Sequence, residues 1–487
     1  MKIITSKPYF LFLLPAFFML HSLGENFAPV LVKTAILQTL FYSGIALVLA
    51  ILFYLLFRNT LKAALAVIFI MSCNFFFGSV YDFLKTQLGQ SFLIKFSVII
   101  PVMLLAILLV ILYLKKSKRL FLRTAGYLNL LLLLLILIDA GALAVKLINS
   151  KGPGVTNLSG DLIKCDTCTK PDIYLIIADE YAGKTQLKDL FSFDNSAFEN
   201  ELQTRGFHIV NNSSSNYNAT VYSMASLLNM DYIKNSNKPG VINHQDMLRS
   251  RSLVRKNNLV TFLSQNGYQV YNYSFFDLAD KKKAVHNIFF STYKSLLTNQ
   301  TFVNRFIFHF GARFASRQKI TDVKKNNLYN DIKIETLTRN TVLLKTSQPK
   351  FVYTHLKKPH HPYFFDSKGN EVPVDSLTDE FTMDKRAYIE YLQYSNKMLL
   401  DLVDFIKKKS AMPPVIMLLG DHGFRQLTGN VDKKYHFMNL NAVYFPNGNY
   451  AGFYDGMTNV NQFRVTLNSI FGQKLPLLKD STSFLKE

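Results

Sequence analysis

The sequence predicts a chain of two architectures: a helical, membrane-embedded N-terminal part and an α/β C-terminal part built on a mostly parallel central sheet. Three observations predict it. Up to about residue 150, long apolar windows hold only Glu25, Asp82 and Asp139 as acids against ten Lys and three Arg. Beyond residue 170, short apolar runs of strand type alternate with amphipathic stretches of helix type, the pattern of a layered α/β fold. Several of those apolar runs end in carboxylates and imidazoles, at the strand ends where such sheets bind ligands.

Five windows approach the roughly 20 apolar residues needed to cross a bilayer: 9–24, 36–57, 63–81, 93–114 and 125–147. The first follows Lys2 and Lys7 and has two readings, a signal-peptide core or an anchor; no small-residue cleavage pattern follows Leu20, which favours the anchor. Cations mark the cytoplasmic side. They sit before the first window, between the second and third (Arg58, Lys62) and between the fourth and fifth (Lys115, Lys116, Lys118, Arg119, Arg123), whereas the other loops are poorer. Alternation therefore puts the N-terminus inside and everything after the fifth span outside. Residues 1–148 are read as the transmembrane domain, 149–170 as a polar linker and 171–487 as one large extracytoplasmic domain. Glu25, Asn26 and Asp82 are expected in outer loops.

The net charge is +22. Of this, +10 lies before residue 150, leaving +12 for the exported part. Nucleic acid is excluded as a partner, because the exported part has no aromatic-basic RNA motif and the runs Lys281–Lys283 and Lys407–Lys409 read as solvated faces. Attraction to anionic lipid headgroups fits the charge better. Of three cysteines, Cys73 lies in a predicted span, and Cys165-Asp-Thr-Cys168 directly precedes the exported domain. A local disulfide is favoured over zinc there, which would need two further ligands, and over a redox role.

In the exported part, apolar runs at 173–178, 268–275, 351–355, 415–419 and 442–445 are expected as strands, and 187–206, 247–266 and 384–409 as helices. The residues after three of the strands carry the chemistry. Asp179 and Glu180 follow the first; His355 ends the third, with Pro359-His360-His361-Pro362 close behind; Gly420-Asp421-His422-Gly423 follows the fourth and reads as a flexible turn. Carboxylate beside imidazole on such turns suits a metal that binds oxygen and nitrogen. A hydroxyl candidate lies in Asn218-Ala-Thr-Val-Tyr-Ser-Met-Ala-Ser-Leu-Leu228, where a polar loop runs into a helix. Thr220 or Ser223 can serve there as a helix N-cap or as a nucleophile in a field that favours anions. Lys184, Lys357 and Lys358 are read as surface lysines, and His21, His208, His244, His286 and His309 as structural or surface residues.

These motifs, with His436 behind them, occur in the order found in the alkaline-phosphatase and sulfatase superfamily, which the chain resembles over most of residues 171–475. With a five-span anchor in front, it resembles the membrane phosphoethanolamine transferases and the lipoteichoic acid synthases that transfer phosphoglycerol. The resemblance implies an alkaline-phosphatase-like (sulfatase-like) fold, with Asp179, Glu180, Thr220, Asp421, His422 and His436 around one or two divalent ions, zinc first and manganese second. It implies Thr220 as nucleophile and His360 or His361, joined by His355, as substrate-binding residues. Threonine is not a substrate for conversion to formylglycine, and Tyr222 and Met224 stand where the sulfatase signature has Pro and Arg.

The expected activity is therefore transfer of a phospholipid headgroup, phosphoethanolamine or phosphoglycerol, through a phosphothreonine intermediate. The acceptor is a hydroxyl of lipid A, a glycan or a glycolipid, and the site is the outer face of a bacterial plasma membrane. The chain is expected to act as a monomer. A hydrolase of phosphate or sulfate esters is the alternative. Mixed carboxylate and imidazole ligands suit zinc or manganese better than calcium.

Overall fold

The computed structural model describes residues 7–25, 32–88, 91–149, 154–158, 160–234, 240–242, 244–285, 297–307, 317–373, 376–377, 384–427 and 431–486. Expectations for Lys2, Asn26, His286 and His309 lie outside these residues. The chain forms two compact units, Met1–Ser150 with Phe289–Gln318, and Lys151–Ile288 with Lys319–Glu487.

The first unit is helical: α1 (Phe10–Glu25), α2 (Val32–Phe57), α3 (Thr60–Phe75), α4 (Phe77–Leu88), α5 (Phe96–Lys116) and α6 (Leu122–Asn149). Three of these, α2, α5 and α6, are long and apolar enough to cross a membrane; α3 and α4 pass the same test only as a pair, bent by 52°. Five full spans are thus more than the structure shows. The reasons are geometric. With 16 residues, α1 rises about 24 Å, short of the roughly 30 Å hydrocarbon layer, and the window at 63–81 is interrupted at Phe76.

Several polar groups in this unit are paired, as a low-dielectric setting favours. Near the start of α1 and early in α6, Phe10 N–H donates to Asn129 Oδ1 at 2.6 Å; further along both helices, His21 Nδ1 lies 3.2 Å from Asp139. The two helices therefore run side by side in one direction. Lys62 Nζ donates to the Ser117 carbonyl at 2.6 Å, which gathers the cation-rich α2–α3 and α5–α6 connections at one end of the bundle.

The second unit is a six-stranded sheet flanked by helices. In chain order it comprises β1 (Ile173–Ala178), α7 (Lys184–Phe191), α8 (Ser196–Thr204), β2 (His208–Ile209), α9 (Thr220–Asn229), α10 (His244–Arg255), α11 (Asn258–Gln265), β3 (Gln269–Tyr273), α12 (Arg317–Leu343), β4 (Lys350–Leu356), α13 (Lys385–Lys409), β5 (Val415–Gly420), β6 (Asn441–Tyr444) and α14 (Asn459–Phe471). The strand order is β2-β6-β5-β1-β4-β3. β5, β1, β4 and β3 are parallel, whereas β6 and β2 add antiparallel at one edge. Every residue of β1, β4 and β5 is buried. That is why β1 and β5 read as continuous apolar runs rather than alternating ones.

β4 buries polar residues as well, and each has a partner. Lys350, at its start, donates to the carbonyls of Thr341 and Leu344 at the end of α12 and pairs with Asp172 at 3.2 Å; Thr354 Oγ1 meets Thr338 Oγ1 at 2.8 Å. A cation on the carbonyl end of a helix complements the helix dipole.

Two expected helices are broken. The stretch 187–206 splits into α7 and α8 because Ser192 turns into the left-handed region at φ 52°. The stretch 247–266 splits because Asn257 caps a fresh helix, accepting the Val260 N–H at 2.8 Å. By contrast 384–409 is one helix, capped by Asp384 at the Ala387 N–H. The stretch read as a linker is bonded to this unit: Thr156 N–H donates to Asp231, Leu158 N–H to Asn258 and Cys165 N–H to Asn266. Cys165 and Cys168 are joined by a disulfide.

Candidate metal centre and nucleophile

The sheet register assembles the site. Ala178 at the end of β1 stands opposite Leu356 on β4 and Gly420 on β5, so Asp179, Lys357 and Asp421 leave the sheet at one level. The first turn is fixed by partners on three sides. Glu180 N–H donates to Asp421 Oδ1 at 2.9 Å, Tyr388 OH donates to the Glu180 carbonyl at 2.9 Å, and His360 N–H donates to the Asp179 carbonyl at 3.1 Å. Glu180 itself takes a left-handed backbone, φ 61°, a strained conformation for a side chain of this size.

The second turn is packed rather than flexible. Asp421 and His422 are fully buried. A Cβ at Gly423 would lie 2.7 Å from the Met438 carbonyl oxygen and nearer still to that of Tyr435; one at Gly420 would lie 2.8 Å from the Tyr181 carbonyl oxygen. Both glycines are there for close approach of backbone to backbone.

Asp179, Asp421 and His422 each offer a ligand atom within 4.8 Å of the others. His422 Nδ1 lies 2.8 Å from the Gly423 carbonyl oxygen; a carbonyl only accepts, so Nδ1 carries the hydrogen and Nε2 presents its lone pair. That lone pair faces Asp421 Oδ2 at 3.3 Å and Asp179 Oδ1 at 3.9 Å. Neither of those carboxylate oxygens has a hydrogen-bond partner, and neither has the buried His355 Nε2, 3.9 Å from Asp179 Oδ2. Two carboxylates and an imidazole lone pair converge here, and such groups repel one another unless a cation joins them. The donor set therefore fits a divalent cation.

Electrostatics agree. Burial, with Asp421 and Glu180 alongside, holds the Asp179 carboxyl well above its ordinary range. Burial would also raise Asp421, but His422, His355 and the Glu180 N–H outweigh it and hold it low. Burial pushes His422 and His355 down to about 4, so both are neutral imidazoles near pH 7. His355 is aimed by Tyr353, whose hydroxyl lies 2.7 Å from its Nδ1, and its ring lies 4.4 Å from that of Phe275.

Thr220 opens α9. The N-cap is Ala219, and the Thr220 hydroxyl caps nothing; its Oγ1 lies 3.1 Å from His422 Nε2, so the hydroxyl donates to the lone pair. Ser223, the other capping candidate, donates to the Asp421 carbonyl at 2.5 Å. It fastens α9 to the turn instead.

Other expected residues stand apart from that cluster. The Glu180 carboxylate, carried aside by its left-handed backbone, accepts from the Arg425 N–H at 2.9 Å and from Gln426 Nε2 at 3.2 Å, and burial raises it to about 7. His360 Nε2 lies 3.8 Å from Glu180 Oε2; its Nδ1 donates to the His361 carbonyl at 2.7 Å. The His361 ring meets that of Tyr363 at 5.5 Å. The His436 ring sits edge-on to Phe484 at 5.1 Å, and burial together with Arg425 lowers its pKa.

Lys184 is a surface residue paired with Glu199 at 2.8 Å. Lys358 is not a surface residue: it is 2% exposed and faces Glu335 at 4.0 Å. Sequence reasoning missed Arg425, Gln426 and Tyr353. Tyr353 was recoverable, since residues i and i+2 of a strand share a face and His355 was already singled out.

A family model described as Sulfatase matches residues 173–465. No curated protein matches the chain. Among solved structures, the C-terminal periplasmic domain of EptC from Escherichia coli in complex with Zn is similar at 14% identity, covering 65% of this chain and 90% of that one, with a TM-score of 0.39. The corresponding domain of the phosphoethanolamine transferase EptC from Campylobacter jejuni is similar at 13% identity, with coverages of 65% and 94% and a TM-score of 0.37. A phosphonate monoester hydrolase of Agrobacterium radiobacter is similar at 12%, with coverages of 62% and 74% and a TM-score of 0.39.

Proposed function

Because the chain belongs to the sulfatase family, we propose that this membrane-anchored enzyme transfers a phospholipid headgroup, phosphoethanolamine or phosphoglycerol, to a hydroxyl of lipid A, a glycan or a glycolipid. The observation that carries the reading is the Thr220 hydroxyl at the mouth of an acceptor-only cluster, 3.1 Å from a neutral His422 Nε2.

A threonine hydroxyl is a weak nucleophile near neutral pH and needs an activating neighbour. Here Asp179, Asp421 and His422 would hold a divalent ion, zinc first and manganese second, with His355 beside them and His436 and His360 as candidates for a second ion. When bound, such an ion supplies Lewis acidity to an oxygen nucleophile and to a phosphoryl group. The protein's own residues do the rest. The Gly423 carbonyl fixes the tautomer of His422; α9 brings the hydroxyl to the site with its free N–H groups directed at an incoming anion; Arg425 holds the neighbouring Glu180 carboxylate in place.

In the first half-reaction the Thr220 oxygen bonds to phosphorus, the bond from phosphorus to the diacylglycerol oxygen breaks, and the hydroxyl proton ends on the departing diacylglycerol. In the second, the acceptor oxygen bonds to phosphorus, the Thr220 ester breaks, and the acceptor's proton restores the threonine. Donor and diacylglycerol both live in a bilayer, which gives the apolar helices a purpose beyond tethering. We place the reaction on the outer face of a bacterial plasma membrane, carried out by a monomer.

Purified full-length protein incubated separately with phosphatidylethanolamine and phosphatidylglycerol, then digested for mass spectrometry, tests this. The expected result is a headgroup adduct on Thr220 with one donor, discharged when an acceptor is added. Donor turnover that no acceptor accelerates, without an adduct, would instead identify a hydrolase.

A further inference from the structure

The chain enters the first unit twice, and the second entry, Phe289–Gln318, comes from between β3 and α12 of the exported part. Its described segment, 297–307, ends in a short helix at 302–307 and is fastened to α4. Gly78 N–H donates to the Gln300 carbonyl at 2.8 Å, and the rings of Phe77 and Phe302 meet edge-on at 5.0 Å. Arg305 Nη2 donates to Asp82 Oδ2 at 2.6 Å. The contact requires glycine at 78, where a Cβ would stand 2.9 Å from both the Cα and the carbonyl oxygen of Gln300.

Outside this clamp the two short helices turn large apolar side chains outward. Val303 and Ile307, one turn apart, are 51% and 60% exposed, and Val80 and Phe83 on α4 are 54% and 63% exposed. Exposed apolar side chains of this size mark a protein or membrane contact site. The segment's polar groups are spent elsewhere: Arg305 bonds to Asp82 and to the Asn299 carbonyl, Thr301 Oγ1 to the Thr298 carbonyl, and the Asn304 N–H to Thr301 Oγ1. The sequence around it decides what covers it. From Lys281 to Thr321 there is no Asp or Glu, against five Lys, three Arg, seven Phe and one Tyr. Aromatic and basic residues on an amphipathic segment are the composition of an element lying in the interface of an anionic membrane. A second copy of this chain, at +22, would bring like charge to the same face.

We propose that 297–307 and α4 together form an interfacial lipid-binding element, with Val80, Phe83, Val303 and Ile307 among the acyl chains and the cations that flank the segment in sequence drawing anionic phospholipid headgroups to it. The chain contains no Trp, so Val303→Trp or Ile307→Trp places a single reporter on the patch in the full-length protein. Both positions are exposed, and the substitutions leave the clamp intact.

In nanodiscs, both reporters are expected to be quenched by brominated lipid and shielded from aqueous iodide, with severalfold stronger quenching by brominated phosphatidylglycerol than by brominated phosphatidylcholine at equal mole fraction. In the Val303→Trp background, Gly78→Val is expected to undock the segment and abolish the lipid quenching. Equal quenching by the two lipids would overturn the anionic preference. Iodide quenching without lipid quenching would overturn the element altogether, and lipid quenching that survives Gly78→Val would remove α4 from it.

Discussion

Thr220 and His422 meet hydroxyl to lone pair, Oγ1 to Nε2 at 3.1 Å, with the imidazole oriented from behind by the Gly423 carbonyl at 2.8 Å. A residue at the start of one helix and a residue on a turn after β5, 202 positions apart, are thereby set for one task. The arrangement makes substitutions at either residue informative.

Thr220→Ala is expected to lower headgroup transfer by about 10³-fold or more, the scale on which loss of a covalent nucleophile registers. Thr220→Ser keeps the hydroxyl and should retain a substantial share of the rate. Steady-state transfer with a fluorescent donor lipid distinguishes the two, and full activity in the alanine variant would sink the nucleophile assignment.

Asp421→Asn removes one of the two carboxylates that face His422. Elemental analysis of the purified protein should find stoichiometric zinc or manganese in the unsubstituted protein. The variant should bind it more weakly by at least the roughly 10- to 100-fold that changes around a metal site cost. Chelation should lower Tm for the former and barely move it for the latter, because only a ligand that is bound can stabilise.

Gly423→Ala inserts a methyl group between the turn and the carbonyls of Tyr435 and Met438. Overpacking of this kind costs about 1–3 kcal/mol, and more where only backbone can give way. A lower unfolding midpoint is expected. Gly456→Ala offers a comparison, since a Cβ there would meet nothing within 4 Å, although φ 81° adds backbone strain of its own.

Asp231 supplies a pH dependence remote from the centre. Burial alone would raise its pKa, but the Thr156 N–H at 2.6 Å and Lys234 at 3.2 Å outweigh it, so the folded value lies below the ordinary one. A depressed carboxylate stabilises the fold above its unfolded pKa of about 3.9 and loses that contribution as pH falls through the folded value. Asp231→Asn should therefore lower stability at neutral pH and flatten its acid dependence below about pH 4, as read from denaturant midpoints across pH. An unchanged acid limb would refute the linkage.

Much of the site was legible because its residues directly follow strands that burial on both faces makes apolar. β1 and β5 announce Asp179 and Asp421 for that reason, and Asp384 announces α13 through its cap. What stayed hidden depends on backbone angle and on distant partners. Nothing local distinguishes Asp179 from Glu180 as the acid facing His422; the left-handed turn at Glu180 and its bond to Arg425 decide it. Lys358 reads as a surface lysine because Glu335, which it faces, lies on another element. Ser192 and Asn257 break helices that their apolar spacing would have continued, and the bend at Phe76 interrupts a window that hydropathy alone scores as one span.

The double entry of the chain into its helical unit bears on how the second unit can be produced by itself. Cutting at residue 151 removes Phe77, Gly78 and Asp82 but leaves Phe302, Gln300 and Arg305 in the fragment, stripped of these partners. Such a fragment should aggregate or demand detergent. The separable piece is the chain from 151 with 289–318 replaced by a short polar connection, and that version should remain soluble at concentrations where the simple truncation does not.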